Sequence, residues 1–101
     1  MFVMMNRMVV PEEHRTRFEQ MFATRAKAVD RRPGFVKAEI LKPKTGNEYI
    51  VVTHWESESP FDGWVNSKEY AEGHQRVGEF KGHDGKSMLT SKVEKYEVFA
   101  E

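Results

Sequence analysis

The segment that decides the fold is residues 2–9, FVMMNRMV. Apolar side chains predominate at both sets of alternate positions. The even positions carry Phe2, Met4, Asn6 and Met8, and the odd positions carry Val3, Met5, Arg7 and Val9. Because successive side chains of a β-strand point to opposite faces of its sheet, this pattern predicts a strand with apolar groups on both sides. The sheet that contains it therefore needs cover on both faces.

A helix is predicted directly after this strand. Pro11 suits a first helical turn, and the two glutamates that follow it suit the positive end of the helix dipole. Apolar residues then recur at helical spacing through Asp30, at Phe18, Met21, Phe22, Ala26 and Val29. The pair Pro33-Gly34 ends the predicted helix.

The rest of the chain adds three strands and a second helical segment. Strands are predicted at residues 35–42 (FVKAEILK) and 48–55 (EYIVVTHW), and the turn residues between them make a hairpin. A mostly helical stretch is predicted after Pro60 as far as about Gly78. The segment KGHDGKS is predicted to be a loop, and MLTSKVEKYEVF a long final strand.

This order, β-α-β-β-α-β, predicts a single ferredoxin-like α+β domain over residues 1–101. Helices can cover one face of the sheet, and a second copy of the chain can cover the other, as in a dimeric α+β barrel. A chain of this size buries only about 60–65% of its unfolded surface, so pairing helps it. A homodimer is therefore expected.

Composition excludes several classes of function. Lys plus Arg and Asp plus Glu both total 16, and no basic run occurs, so a nucleic-acid partner is not expected. The absence of cysteine excludes disulfides, thiolate nucleophiles and cysteine-held metal centres. No stretch approaches the ~18–20 apolar residues of a membrane span, and the N-terminus lacks the pattern of a signal peptide. A cytoplasmic location is expected.

The stretch WVNSKEYAEGH begins with Trp64 and ends with His74. If a helix begins near Ser67, which is a good N-cap residue, His74 lies on the inward stripe with Tyr70. A histidine at such a position is often a hydrogen-bonded core residue instead of a ligand. Trp64 could equally fill the join between a helix and the sheet.

Asn6 interrupts the apolar row on the even side of the first strand. A buried amide must find hydrogen-bond partners, and a link to a neighbouring loop or helix terminus is the ordinary explanation. A ligand is the alternative.

Asn6, Trp64 and His74, on a first strand and a second helical segment, resemble the corresponding residues of the IsdG-type haem-degrading monooxygenases. These enzymes belong to the antibiotic biosynthesis monooxygenase superfamily of dimeric α+β barrels. The resemblance covers essentially the whole chain, through MNRMVVPEEHRTRFEQMF, PGFVKAEIL, THWESESPFDGWVNSKEYAEGH and SKVEKYEV. The Trp–His separation and the early asparagine are its specific part.

The resemblance implies that haem is both substrate and cofactor, with O2 and an external electron donor, supplied by an unidentified reductase. His74 would be the axial ligand of the haem iron, as a neutral imidazole. Trp64 would press on one porphyrin face and distort the ring. Asn6 would aim its amide N–H at the iron-bound oxygen.

The walls of the haem pocket are expected from the facing of their elements and not from the matched motif. Phe18 and Phe22 would contribute from the first helix, and Val52 from the third strand. Three other histidines are weaker ligand candidates. His14 lies near the start of a helix, and His83 lies in a glycine-bounded loop. His54 lies near the end of the third strand and is interpreted as a structural residue.

Two other functions fit the same sequence. A cofactor-free monooxygenase that acts on quinols or polyphenols occurs in the same barrel superfamily and also uses polar and aromatic pocket residues. A non-catalytic haem-binding or storage protein, or a bare dimeric barrel with an interaction role, is the second alternative.

Overall fold

The described strands form one four-stranded antiparallel sheet with helices on one side. The computed structural model describes residues 1–23, 28–77 and 90–101, and for residues 28, 73–77 and 90 it describes the backbone alone. In chain order the elements are β1 (Phe2–Val9), α1 (Arg15–Ala23), β2 (Phe35–Leu41), β3 (Glu48–Trp55), α2 (Glu58–Val65), α3 (Lys68–Val77) and β4 (Thr90–Glu97), with short 3-10 turns at Glu12–His14 and Ala28–Arg31.

The strand order across the sheet is β2-β3-β1-β4. Every pair of neighbouring strands is antiparallel, and β1 lies inside the sheet between β3 and β4. This topology is that of a ferredoxin-like α+β domain, as the order of elements predicted. Within the described ranges, no helix has the length and apolar character needed to cross a bilayer.

Strand register divides the sheet into two faces with different surroundings. The helical face carries Phe2, Asn6 and Met8 from β1, and α1 and α2 pack against it. The open face carries the alternate residues, among them Val3 and Arg7, because side chains alternate along a strand. The helices supply the predicted cover for one face of β1, and cover of the open face by a second copy of the chain stays a prediction.

Two hydrophobic clusters fill the helical face, one towards each end of the sheet. The cluster beneath α1 contains Met8, Val10, Phe18 and Tyr49. The cluster beneath α2 contains Phe2, Val29, Trp55 and Phe61. Along β1, Asn6 lies between the residues that belong to these two clusters.

The chain near the predicted end of the first helix differs from its sequence pattern. The described helix α1 spans Arg15–Ala23, and residues 28–31 form a 3-10 turn where the pattern predicted α-helix as far as Asp30; residues 24–27 lie outside the described part of the chain. The backbone N–H of Arg32 donates to the carbonyl of Val29 at 3.0 Å, and that of Phe35 donates to Arg32 at 3.2 Å. These tight turns bring the chain into β2, so the prediction of one helix through Asp30 was wrong at its end.

The final strand ends earlier than predicted because its partner ends. β4 pairs with β1 as far as Glu97, which lies opposite Phe2, and the last bond joins the N–H of Val98 to the carbonyl of Met1 at 2.9 Å. Phe99, which was predicted to belong to the strand, lies beyond it and is fully exposed. Residues 88 and 89, at the predicted start of this strand, are outside the described ranges.

Gly34 is required where β2 begins. Its φ of 81° lies in the left-handed region, and a Cβ atom there would lie 2.5 Å from Cγ of Pro60. The same stretch of backbone accepts a hydrogen bond from the N–H of Glu56 at 2.8 Å. The start of β2 is thereby fixed against the start of α2.

Candidate functional site

Asn6 lies on the helical face of β1 with an unsatisfied amide oxygen. Its Oδ1 atom is buried and has no hydrogen-bond partner among the described residues. Leaving a buried polar group without a partner costs about 1–3 kcal/mol. The expected link to a loop or helix terminus is therefore not found for this atom in the described part of the chain, and the amide is available to a ligand.

The neighbours of Asn6 differ sharply on its two sides. Towards β3 it lies opposite Val51, which packs against the cluster beneath α1. Towards β4 it lies opposite Val93, which belongs to the same face but is 53% exposed. We call the exposed helical-face surface of Ser91 and Val93 the β4 patch. An uncovered apolar surface thus lies directly beside an unpartnered amide oxygen.

Trp64 lies in the last turn of α2 and is half-buried. Its indole packs against the cluster that contains Phe2, Trp55 and Phe61. The packing role that the sequence left open is therefore present, and the part of the indole outside the core remains accessible to a ligand.

The break between the two helices falls where the sequence placed it. α2 ends at Val65, and α3 begins at Lys68. Ser67 is the N-cap, because its Oγ accepts a hydrogen bond from the N–H of Tyr70 at 3.2 Å. His74 belongs to α3, as predicted, but its side chain is outside the described atoms, so its role as an iron ligand stays a prediction.

The two phenylalanines expected to line a pocket have different surroundings. Phe18 is fully buried, and its ring lies 4.9 Å from the Tyr49 ring and 4.8 Å from the Phe22 ring, so it is a core residue. Phe22 is only partly buried and packs against that core. Both line an open cavity of about 400 Å³ between α1 and β2, together with Glu19, Ala23, Ile40, Lys42 and Tyr49.

This cavity and the β4 patch lie on opposite sides of Asn6. The cavity contacts β2, whereas the patch belongs to β4, and two strands separate β2 from β4 in the sheet. Phe22 therefore borders the cavity at the β2 edge in the described coordinates. Its contribution to a haem pocket stays a prediction.

The expected position of Val52 needs correction. Val52 pairs with Met5, and both lie on the open face, while Asn6 pairs with Val51 on the helical face. A shift of one residue moves a side chain to the other face of the sheet. Within a single chain Val51, and not Val52, is therefore the third-strand residue beside Asn6.

Where they are described, the other histidines lie on elements other than β1. His54 is on the open face, 3.6 Å from a carboxylate oxygen of Glu39, which agrees with its predicted structural role. His14 lies in the 3-10 turn before α1 and is half-buried. His83 is outside the described residues. No group of three or more possible metal-ligating side chains occurs among the described residues.

The buried side chain of Tyr49 forms part of the wall of the cavity between α1 and β2. The hydroxyl of Tyr49 donates to Glu19, whose carboxylate also lies 3.2 Å from Nζ of Lys42. These bonds hold the pKa of Glu19 below its usual value, with the bond from Tyr49 the largest cause. Burial, and then the bond to Glu19, raises the pKa of Tyr49, so the phenol stays neutral.

The open face carries an ion-pair network on top of its apolar residues. Arg7 lies 3.0 Å from a carboxylate oxygen of Glu48 and 2.5 Å from one of Glu94, so it bridges β3 and β4. The hydroxyl of Tyr96 donates to the other oxygen of Glu94 at 2.9 Å. The bond from Arg7, followed by that from Tyr96, lowers the pKa of Glu94.

Residues 1–76 match the family described as "Antibiotic biosynthesis monooxygenase". A "Heme oxygenase (mycobilin-producing)" of Mycobacterium tuberculosis is 43% identical over 70 residues, which are 68% of this chain and 67% of that protein.

Two solved structures extend the likeness to the fold. The heme-degrader MhuD from Mycobacterium tuberculosis, with two hemes bound in its active site, matches with a TM-score of 0.74 and 30% identity, over 100% of this chain and 98% of that one. SnoaB, a cofactor-independent oxygenase from Streptomyces nogalater, matches with a TM-score of 0.79 over 99% of this chain and 94% of that one. At 20% identity, the second match shows the shared fold alone.

Proposed function

The chain belongs to the antibiotic biosynthesis monooxygenase family, and on that premise we propose that it is a haem-degrading monooxygenase. It binds haem, opens the porphyrin ring with O2 and reducing equivalents, and releases iron. The observation that carries the proposal is the buried Oδ1 atom of Asn6, which has no partner among the described residues and lies beside the exposed β4 patch. The 43% identity to a heme oxygenase of Mycobacterium tuberculosis supports it.

The described residues around Asn6 fit a haem. A porphyrin is a flat and largely apolar disc, so an exposed apolar strand surface suits its face or edge. Val93 offers such a surface, and Asn6 supplies one polar atom that lacks a partner among the described residues. Trp64, in the last turn of α2, packs on the same face of the sheet as Asn6 and offers a rigid aromatic surface.

Each of the three proposed site residues has a distinct task. When bound, haem would supply both the iron that activates O2 and the porphyrin ring that is oxidised. His74 would hold the disc through an imidazole nitrogen. Trp64 would restrict the orientation of the bound porphyrin.

Asn6 would offer its amide as a hydrogen-bonding group at the face of the bound ring. An amide group can present either its oxygen or its N–H2 to a ligand, because rotation about the terminal bond exchanges them. Presenting Nδ2 as a donor requires no protonation change. The low dielectric of a buried site strengthens that hydrogen bond.

The external electron donor, its reductase, and a cytoplasmic location are parts of the same proposal. A homodimer is also proposed, and the exposed apolar residues of the open face support it: Val9, Leu41 and Tyr96. Such a surface is typical of an interaction site. A second copy would also enclose the Arg7 network.

A cofactor-free quinol or polyphenol monooxygenase is the second candidate, and the cavity between α1 and β2 favours it. The aromatic rings of Phe22 and Tyr49 beside the Glu19 carboxylate suit a small phenolic compound. No porphyrin is needed for that reaction. The two candidates therefore differ in whether haem binds at all.

Titration with haemin, followed by aerobic incubation with ascorbate and catalase, tests the proposal. Stoichiometric binding with a sharp Soret band, then loss of that band with release of chelatable iron, is the expected result. Failure to bind haemin would refute haem degradation and favour the cofactor-free enzyme. A bound haem whose Soret band persists would identify a carrier instead. Catalase is needed because free peroxide bleaches haem without an enzyme.

A further inference from the structure

The indole of Trp64 has a second aromatic neighbour outside the hydrophobic core. The ring centroid of Tyr70 lies 5.8 Å from that of Trp64, and the two planes make an angle of 83°. This is an edge-to-face pair, one of the two preferred geometries of aromatic contacts. Since Trp64 lies in the last turn of α2 and Tyr70 in the first turn of α3, the contact spans the break between the helices.

The backbone at this break is fixed by Ser67. Its Oγ donates to the carbonyl of Trp64 at 2.6 Å and accepts from the N–H of Tyr70 at 3.2 Å. The N–H of Ser67 also donates to the Trp64 carbonyl, at 3.0 Å. Ser67 thus fixes the backbone of Trp64 relative to the backbone of Tyr70. These bonds restrict how far the two rings can move apart.

The indole is therefore held from two directions. The core cluster with Phe2, Trp55 and Phe61 packs against Trp64, and Tyr70 contacts the same indole from α3. Burial raises the pKa of Tyr70, so its phenol is neutral and its ring acts as an apolar wall. Contacts of this kind leave an aromatic side chain few accessible rotamers.

We propose that Tyr70 is a positioning residue: its ring fixes the rotamer of Trp64, and through it determines which porphyrin carbon is oxidised. The consequence for the reaction rests on the proposed haem-degrading function. The constraint on the indole does not, because Trp64 and Tyr70 meet within the chain itself. A disc pressed by an indole in a second rotamer would meet the oxygen at a different carbon.

Fluorine NMR of the full-length, haem-free protein labelled with 5-fluorotryptophan tests the constraint. The chain has two tryptophans, and Trp64→Phe assigns their resonances. In Tyr70→Leu the Trp64 resonance is expected to shift by more than its linewidth, as its alternative rotamer gains roughly two- to tenfold in population. Tyr70→Phe keeps the ring and should leave the resonance in place.

Two further variants keep the test decisive. Ser67→Ala removes the hydroxyl bonds at the helix break and should move the Trp64 resonance while the Tyr70 ring is still present. Tyr96→Leu removes a phenol from the open face and should change neither resonance. In every variant an unchanged Trp55 resonance reports an intact core, since Trp55 is fully buried. An unmoved Trp64 resonance in both Tyr70→Leu and Ser67→Ala would overturn the inference.

The second measurement is the ratio of ring-opened tetrapyrrole isomers, by chromatography and mass spectrometry. Tyr70→Leu is expected to change that ratio at least about twofold, and Tyr70→Phe to restore it. An unchanged ratio in an active Tyr70→Leu enzyme would overturn the role in selectivity. If the wild-type protein leaves haem intact, the proposed function fails, and the fluorine spectra alone decide whether Tyr70 fixes the indole.

Discussion

Asn6 on β1 and Val93 on β4 lie opposite each other on the helical face of the sheet. The amide oxygen of Asn6 is buried and unpartnered among the described residues, whereas the apolar side chain of Val93 is 53% exposed. A flat ligand with an apolar body and a polar centre would cover the side chain of Val93 and give the amide of Asn6 a hydrogen-bond partner. The buried amide oxygen without a partner among the described residues is unfavourable, and it supports the proposed ligand site.

Replacing Asn6 by leucine should stabilise the haem-free protein and abolish turnover. The variant removes an unsatisfied amide from the helical face, so the free energy of unfolding is expected to rise by about 1 kcal/mol. Urea denaturation measures this change, and decay of the Soret band measures turnover. A less stable variant would mean that the amide has a partner in the folded chain.

His74→Ala should lose the sharp Soret band of the haem complex, because the proposed axial nitrogen is removed. His54→Ala is the matched control: His54 lies on the open face, so the band should be unchanged. Absorbance titration with haemin at neutral pH makes the comparison. An intact band in His74→Ala would assign the iron to another residue.

Substitutions of the two tryptophans should affect the stability of the protein and its haem turnover to different extents. Trp55 is fully buried and its Nε1 donates to Oγ1 of Thr53 at 3.0 Å, so Trp55→Phe is expected to cost about 1–3 kcal/mol. Trp64 is half-buried, and Trp64→Phe should destabilise the protein less while lowering haem turnover more. Thermal unfolding and single-turnover kinetics on both variants measure the two effects. Equal effects of both variants on turnover would argue against a specific role for Trp64.

A charge on the open face should dissociate the proposed dimer. Leu41 is exposed and pairs with Ile50 on that face, so Leu41→Glu costs the folded monomer little but buries a carboxylate at the interface. Phe99→Glu is the control, because Phe99 is fully exposed beyond β4. Sedimentation velocity is expected to give a monomer for Leu41→Glu and a dimer for Phe99→Glu. Dimers of both would place the interface elsewhere.

Acid stability should depend on Glu19. Its pKa in the folded chain lies below the usual 4.5, first because Tyr49 donates to it and then because of Lys42. The folded state therefore binds this proton less tightly than the unfolded state does. Glu19 contributes stability above about pH 4.5, which is lost as the pH falls through its folded pKa.

Glu19→Gln should accordingly show a smaller loss of stability between neutral and acidic pH than the wild-type chain. Tyr49→Phe removes the largest cause of the shift and should flatten the same region of the profile. Urea denaturation as a function of pH measures both. Profiles parallel to that of the wild type would show that this hydrogen bond does not affect the titration.

Local pattern predicted much of this protein. The alternation of β1, the hairpin of β2 and β3, and the helix break at Ser67 all depend on residues close together in the chain, and the structure confirms them. The opposite facing of His54 and Trp55 was predicted for the same reason. Backbone geometry repeats every two or 3.6 residues, so neighbouring residues are enough to reveal it.

Pairing between distant segments decided the rest. The register of β3 against β1 set Val51, and not Val52, beside Asn6, and the end of β1 stopped β4 at Glu97. Whether Val93 is covered depends on how far the helices extend over the sheet. Contacts across tens of residues leave no periodic signal in either segment, because each segment's own pattern is compatible with several registers and several neighbours.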